Sequence, residues 1–256
     1  MWELHYVKEL IDFMSLELNN EIESFLMIGQ SNMAGRGEFG EVEAIENDNC
    51  FMLRMGLWEK MSEPINPDAP IYCEDFHSGI SLAASFADEL QKQTKKKIGL
   101  IPCAFGGTKL EQWMPGELLF DHAVMMTKLA MRSSRLKGII WHQGESDCSS
   151  DENVLEYKTK FLTMISCLKK EIGIEAIPVI MGEVSENITE AWNVGNRPKK
   201  INQVFHEIAE EMRDCRVVTS KGLYLKSDGI HFDSKSCRIF CQRYCETYLE
   251  MQRSKQ

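Results

Sequence analysis

A three-layer α/β fold, one parallel sheet covered by helices on both faces, is what this sequence predicts. Three observations predict it. Short β-type apolar runs alternate along the chain with longer stretches of helical spacing. The short runs end in Gly or polar residues, and in open parallel sheets ligands gather beyond such strand ends. The 256 residues, 43% hydrophobic and 27% charged, suffice for a core that needs no disulfide or metal staple.

In chain order, the short runs place strands at 24–28, 97–103, 138–142, 177–182 and 216–219, a sheet of about five. Helical spacing falls between them, at about 80–93, 117–135, 153–171, 198–213 and 234–251. In the first of these, Leu82, Phe86 and Leu90 form the stripe expected of a helix packed on a sheet. Leu4, Val7, Ile11, Met14 and Leu18 predict an added N-terminal helix, so 1–22 reads as an extension and 23–256 as a single domain. The stretch 35–77 has no regular period, and Pro64, Pro67 and Pro70 break it; it reads as a long excursion after the first strand.

The net charge of −10 repels polyanions, and the only basic run is Lys95-Lys96-Lys97, so neither nucleic acid nor an anionic membrane is an expected partner. Nine cysteines without a Cys-x-x-Cys pair argue against a disulfide framework or zinc site. The first residues lack the basic and apolar segments of a signal peptide, and no apolar run reaches the ~20 residues of a membrane span. The expectation is a reducing, cytoplasmic compartment. Cys237, Cys241 and Cys245 share one helix face and read as core.

The strand ends carry the chemistry. After the first strand comes Gly29-Gln30-Ser31-Asn32-Met33, after the second Ala104-Phe105-Gly106-Gly107-Thr108, after the third His142-Gln143-Gly144-Glu145-Ser146-Asp147. The last strand is followed by Asp228-Gly229-Ile230-His231-Phe232. A serine hydroxyl is a nucleophile only when a base takes its proton, and His231, three residues from Asp228, suits that base with its carboxylate. Gly106-Gly107 lets backbone N–H groups approach a developing oxyanion, and Gln143 offers a side-chain amide. Each feature also has a plainer reading: Ser31 as a helix N-cap, Asp228 and His231 as a surface turn, the glycines as a β-turn, Gln143 as a loop bridge. Met33 breaks the G-x-S-x-G elbow, which disfavours an α/β-hydrolase proper. Four such features on four strand ends of one sheet favour catalysis.

These blocks, from Phe25 through Gly37, Gly99 through Thr108, Trp141 through Asp147 and Asp228 through Phe232, closely resemble the sialate O-acetylesterase-type domain. That domain is shared with carbohydrate esterase family six, the acetylxylan esterases, within the SGNH hydrolase superfamily. The resemblance implies a flavodoxin-like fold and a serine esterase that removes O-acetyl groups from sugars without metal or cofactor. It further implies Ser31 as nucleophile and His231 as base, with Asp228 the preferred acid and Glu145 its rival. Ser31 N–H, Gly107 and Gln143 are the implied oxyanion donors. Gln30, Asn32, Gln112 and Trp113 are expected to meet the substrate, a small acetylated carbohydrate such as a xylo-oligosaccharide. Alternatives are a sialic acid O-acetylesterase, an SGNH lipase or thioesterase, and a carbohydrate-binding module without turnover. The net charge favours a neutral sugar over a sialoside unless Arg36 or Arg54 lies in the site.

Overall fold

The computed structural model describes residues 21–66 and 78–254. The expected N-terminal helix and the 67–77 part of the excursion lie outside the described residues. Among the described residues seven strands form one sheet: β1 (Ile22–Gly29), β2 (Cys50–Arg54), β3 (Leu57–Lys60), β4 (Lys97–Pro102), β5 (Ser134–His142), β6 (Val179–Gly182) and β7 (Cys215–Val218). Their order is β3-β2-β4-β1-β5-β6-β7, parallel throughout except for the β2–β3 pair.

The central strand explains the layers. Along β1 the side chains alternate in the pleat, so Phe25 and Met27 enter one core while Leu26 and Ile28 enter the other. On the first face lie helices α2 (Ala84–Thr94) and α6 (Ser234–Arg253), contributing Phe86, Leu90, Phe240 and Tyr244. On the second lie α3 (Leu118–Ala130), α4 (Asp151–Ile172) and α5 (Arg197–Glu211), contributing Ala123, Phe161 and Phe205. A strand buried on both faces must be apolar at every position, which is why 25–28 reads as an unbroken apolar run.

The helix ends follow local chemistry. Ser150 Oγ accepts the Asn153 N–H at 3.2 Å to start α4, Asp151 and Glu152 fill its first turn, and Gly173 closes it at φ 73°. At α6 the Asp233 carboxylate accepts the Ser236 N–H at 2.7 Å. Cys237, Cys241 and Cys245 are all buried on α6, and burial pushes their thiols up.

Three sequence-based boundaries need correction. The sheet has seven strands rather than five, because Cys50–Arg54 and Leu57–Lys60 form a hairpin inside the excursion. Its two-residue turn has Met55 at φ 47° and Gly56 at φ 84°; the left-handed residue before the glycine is a methionine, so the usual Asn-Gly signal is missing. The helix expected over 117–135 stops at Ala130, and β5 begins at Ser134. Ser134 Oγ donates to the Ala130 carbonyl at 2.8 Å and meets Ser24 Oγ at 2.9 Å, which ties the incoming strand to both the helix end and β1. The helix expected from residue 80 starts at Ala84, because Ile80 is held in an antiparallel bridge with Gly37.

Candidate active site

β1 delivers the serine. Its last residue, Gly29, has φ 136°, and a Cβ there would lie 2.0 Å from the His142 carbonyl oxygen, so only glycine lets β1 and β5 end side by side. The chain then makes a single helical turn, α1 (Ser31–Ala34), closed by Ala34 N–H to Gln30 O and Gly35 N–H to Ser31 O, both 2.9 Å. Gln30, not Ser31, is the N-cap of this turn. The N-cap reading of Ser31 is thereby removed: its Oγ lies 2.9 Å from His231 Nε2.

The loop after β7 delivers the other two groups. One oxygen of Asp228 accepts the Ile230 and His231 N–H groups, both at 3.0 Å, and the other is 2.9 Å from His231 Nδ1. Asp228 thus shapes the turn and orients the ring with the same carboxylate. With the proton held on Nδ1 by the carboxylate, Nε2 carries the lone pair that faces Ser31. Burial pushes the Asp228 carboxyl up, but the His231 and Ile230 N–H groups and the imidazole outweigh it, and the net direction is down. For His231, burial pushes down, Asp228 pulls up and Arg36 pushes down again; the net direction is down. A ring that is neutral near pH 6.5 is one ready to accept a proton.

Asn32 couples the two loops. Its Oδ1 accepts the Phe232 N–H at 3.0 Å and its Nδ2 faces the Ile230 carbonyl at 3.4 Å, so one side chain brackets His231 on both sides. The same Nδ2 donates to Glu145 Oε1 at 2.5 Å, and that oxygen is 3.1 Å from His142 Nε2, whose Nδ1 lies 3.1 Å from Tyr244 Oη. Burial pushes Glu145 up, yet His142 and Asn32 outweigh it and its net direction is down. Asp228 is therefore the carboxylate seated on His231 Nδ1, whereas Glu145 is engaged by Asn32 and His142.

Several expected contacts take other positions. Gln30 is buried, its Oε1 accepting from Gln143 Nε2 at 3.1 Å and from the Gly144 and Ser146 N–H groups at 3.2 Å each. Gln143 Nε2 also faces the Thr108 carbonyl at 3.0 Å and Asp147 Oδ2 at 2.5 Å. With two hydrogens and three internal acceptors, that amide is committed inward and holds the strand ends together. Asp147 is pushed up to about 6, chiefly by burial. Gln30 and Asn32 are buried, with Gln30 Oε1 and both amide atoms of Asn32 engaged inside the protein. Trp113 is 1% exposed, donates to Thr108 Oγ1 at 3.1 Å and stands edge-on to Trp141 at 5.5 Å, so it is core and has no face for a pyranose. Gln112 is exposed but accepts the Lys109 N–H at 2.9 Å in its own turn. Gly107, at φ 73°, has no atom within 4 Å of where a Cβ would sit and fronts open space.

One aromatic was overlooked. Trp192 is 43% exposed and donates its indole N–H to the Asp228 carbonyl at 2.8 Å, while the neighbouring Thr189 N–H bonds Gly229 O at 3.0 Å. It stands ten residues past the end of β6 at Gly182, too far along the loop for its spacing to a strand end to mark it.

An α/β/α sheet with serine, histidine and aspartate converging beyond its strand ends is an arrangement that can carry out the chemistry of a serine hydrolase. Residues 21–250 match the family model described as carbohydrate esterase, sialic acid-specific acetylesterase, and the chain belongs to that family of carboxylic ester hydrolases. It is 26% identical over 233 residues to a probable carbohydrate esterase of Arabidopsis thaliana, covering 83% of this chain and 84% of that one. Among solved structures, a protein from Arabidopsis thaliana superposes with a TM-score of 0.80 at 24% identity, over 90% of this chain and 98% of the other. NanS superposes at 0.73 with 15% identity, over 92% and 99% of the two chains. A catalytic mutant of an acetylxylan esterase from Geobacillus stearothermophilus gives 0.54 with 13% identity, over 91% and 96%. These structural likenesses speak to the fold.

Proposed function

We propose that this carbohydrate acetylesterase works through Ser31, His231 and Asp228, in two acyl-transfer steps on small acetylated sugars in the cytoplasm. The observation that supports it is the hydrogen-bonded series from Ser31 Oγ to His231 Nε2 and from His231 Nδ1 to Asp228, each contact 2.9 Å. Ser31 Oγ attacks the acetyl carbonyl while Nε2 takes its proton. The tetrahedral oxyanion is held by the Ser31 and Gly107 N–H groups. Collapse breaks the C–O bond to the sugar, and the imidazolium returns the proton to the departing hydroxyl. Water then attacks the acetyl-serine by the same route, releasing acetate and free Ser31.

A fluorophosphonate probe tests this directly, because it reacts only with an activated serine. Mass mapping should find the label on Ser31 in the native protein; a folded protein that stays unlabelled, and releases no acetate from a panel of acetylated sugars, sinks the reading. Cleavage of octanoyl esters faster than acetyl esters would contradict acetyl preference.

The pH profile supplies a second test. The base must be neutral, so kcat/KM for p-nitrophenyl acetate falls as acid protonates His231. Because its shift is downward from 6.5, the half-maximal point of the acidic limb is expected below pH 6.5. A limb centred at 7 or above contradicts the assignment.

A further inference from the structure

The turn that carries Asp228 and His231 is closed from within by its own backbone. Leu225 and Phe232 pair in an antiparallel bridge, and the Lys226 N–H donates to the His231 carbonyl at 2.7 Å. Two peptide units at its tip are held differently, each at both ends. In the unit joining Asp228 to Gly229, the N–H donates to the Lys226 carbonyl at 2.9 Å and the carbonyl accepts from Trp192 Nε1 at 2.8 Å. In the unit joining Gly229 to Ile230, the N–H donates to the Asp228 carboxylate at 3.0 Å and the carbonyl accepts the Thr189 N–H at 3.0 Å. Because the C=O and N–H of a peptide lie in one rigid plane, a grip on the carbonyl fixes where the N–H points. The joint between the two planes is Gly229 at φ 72°, the residue type least able to hold them by itself.

The outer grip comes from the loop between β6 and α5, and that loop is anchored on either side. Ile188 and Val194 enter the core that also receives Ile230 from the turn. Arg197 donates Nε to the Cys148 carbonyl at 2.5 Å and Nη2 to the Asn193 carbonyl at 2.6 Å. Between these anchors residues 189–193 are exposed. An exposed indole can give its N–H to water, so the bond to Asp228 is not one that folding demands. The two segments are also in close approach, since a Cβ on Gly229 would lie 2.2 Å from Thr189 Oγ1.

We propose that Trp192 is a positioning residue for the reaction: with the Thr189 N–H it holds the peptide planes on either side of Gly229, and so keeps the Asp228 carboxylate seated on His231 Nδ1 while the ring gains and loses its proton. This rests on the esterase reading of Ser31, His231 and Asp228.

Trp192→Phe keeps an aromatic ring over the turn and removes only the donor. Its kcat for p-nitrophenyl acetate and for an acetylated sugar should fall by about 3- to 10-fold, with each KM within about twofold of native. The second-order rate of fluorophosphonate labelling at Ser31, which involves no sugar, should fall by the same factor, and the melting temperature should stay within a few degrees. Thr189→Pro deletes the other donor at a φ of −69°, which proline adopts, and should slow labelling in the same way. It supplies the readout if Trp192→Phe does not fold. Native kcat and a native labelling rate in the variant read overturn the proposal. A loss confined to KM for the sugar also overturns it, since the ring would then be a surface for the sugar, and so does a loss in Trp192→Ala that Trp192→Phe does not share. Failure of the esterase reading looks different: the native protein itself takes no label and releases no acetate.

Discussion

Ser31→Ala lowers kcat for p-nitrophenyl acetate by about 10⁶-fold, with the protein still folded. The hydroxyl is the group that forms the acyl bond, and without it the remaining binding and oxyanion groups act only on water. Ser31 is 6% exposed and small, and the substitution removes one oxygen and one hydrogen bond to His231, a loss of about 1 kcal/mol in stability. The melting temperature should therefore move by a few degrees at most. His231→Ala should cost about as much in rate, and the double variant little more than either alone, because the pair acts as a unit. Retention of a tenth or more of native turnover by Ser31→Ala would remove serine catalysis from the account.

Asp228→Asn lowers kcat by about 10⁴-fold, and Glu145→Gln by about tenfold or less. The reason is the tautomer. An asparagine can present an N–H to His231 Nδ1, which moves the ring proton to Nε2 and leaves no lone pair facing Ser31. The same change also weakens the two backbone bonds that shape the turn, since a carboxylate accepts the Ile230 and His231 N–H groups more strongly than an amide. Glutamine at 145 can still accept from Asn32, so its main effect falls on the melting temperature through the buried network with His142. Stopped-flow and steady-state rates on purified variants give the ranking, and the reverse order transfers the acid's role to Glu145.

The four strand ends were legible in the sequence because parallel strands buried on both faces are unbroken apolar runs, and the polar residues after 25–28 and 138–142 stand out against them. The β2–β3 hairpin was not legible, since Cys50–Arg54 is half of a ladder whose turn is made by a methionine at positive φ. The start of β5 was hidden as well: Leu136 fits a helical stripe as easily as a strand, and only pairing of Ser134 with Ile22 decides it. Within the site, Ser31, Asp228 and His231 could be read because their spacing matches a chemistry. Gln143, Gln30 and Trp113 could not, because an amide or an indole looks the same in sequence whether it faces a ligand or the core. Gln30 is turned by Gln143 and the Gly144 and Ser146 N–H groups, Gln143 by Thr108, Asp147 and Tyr157, and Trp113 by Thr108.

Ser31 and His231 stand 200 positions apart, and Asn32 and Phe232 are separated by the same interval. Such separation has a kinetic meaning. As the chain leaves the ribosome, β1 waits for β4 and β5 on either side, and its serine waits longer still, until the loop after β7 and the helix behind it have docked. Esterase turnover in a nascent chain is therefore a late event, and the appearance of activity during synthesis or refolding times the closure of the whole sheet rather than the formation of its first strands.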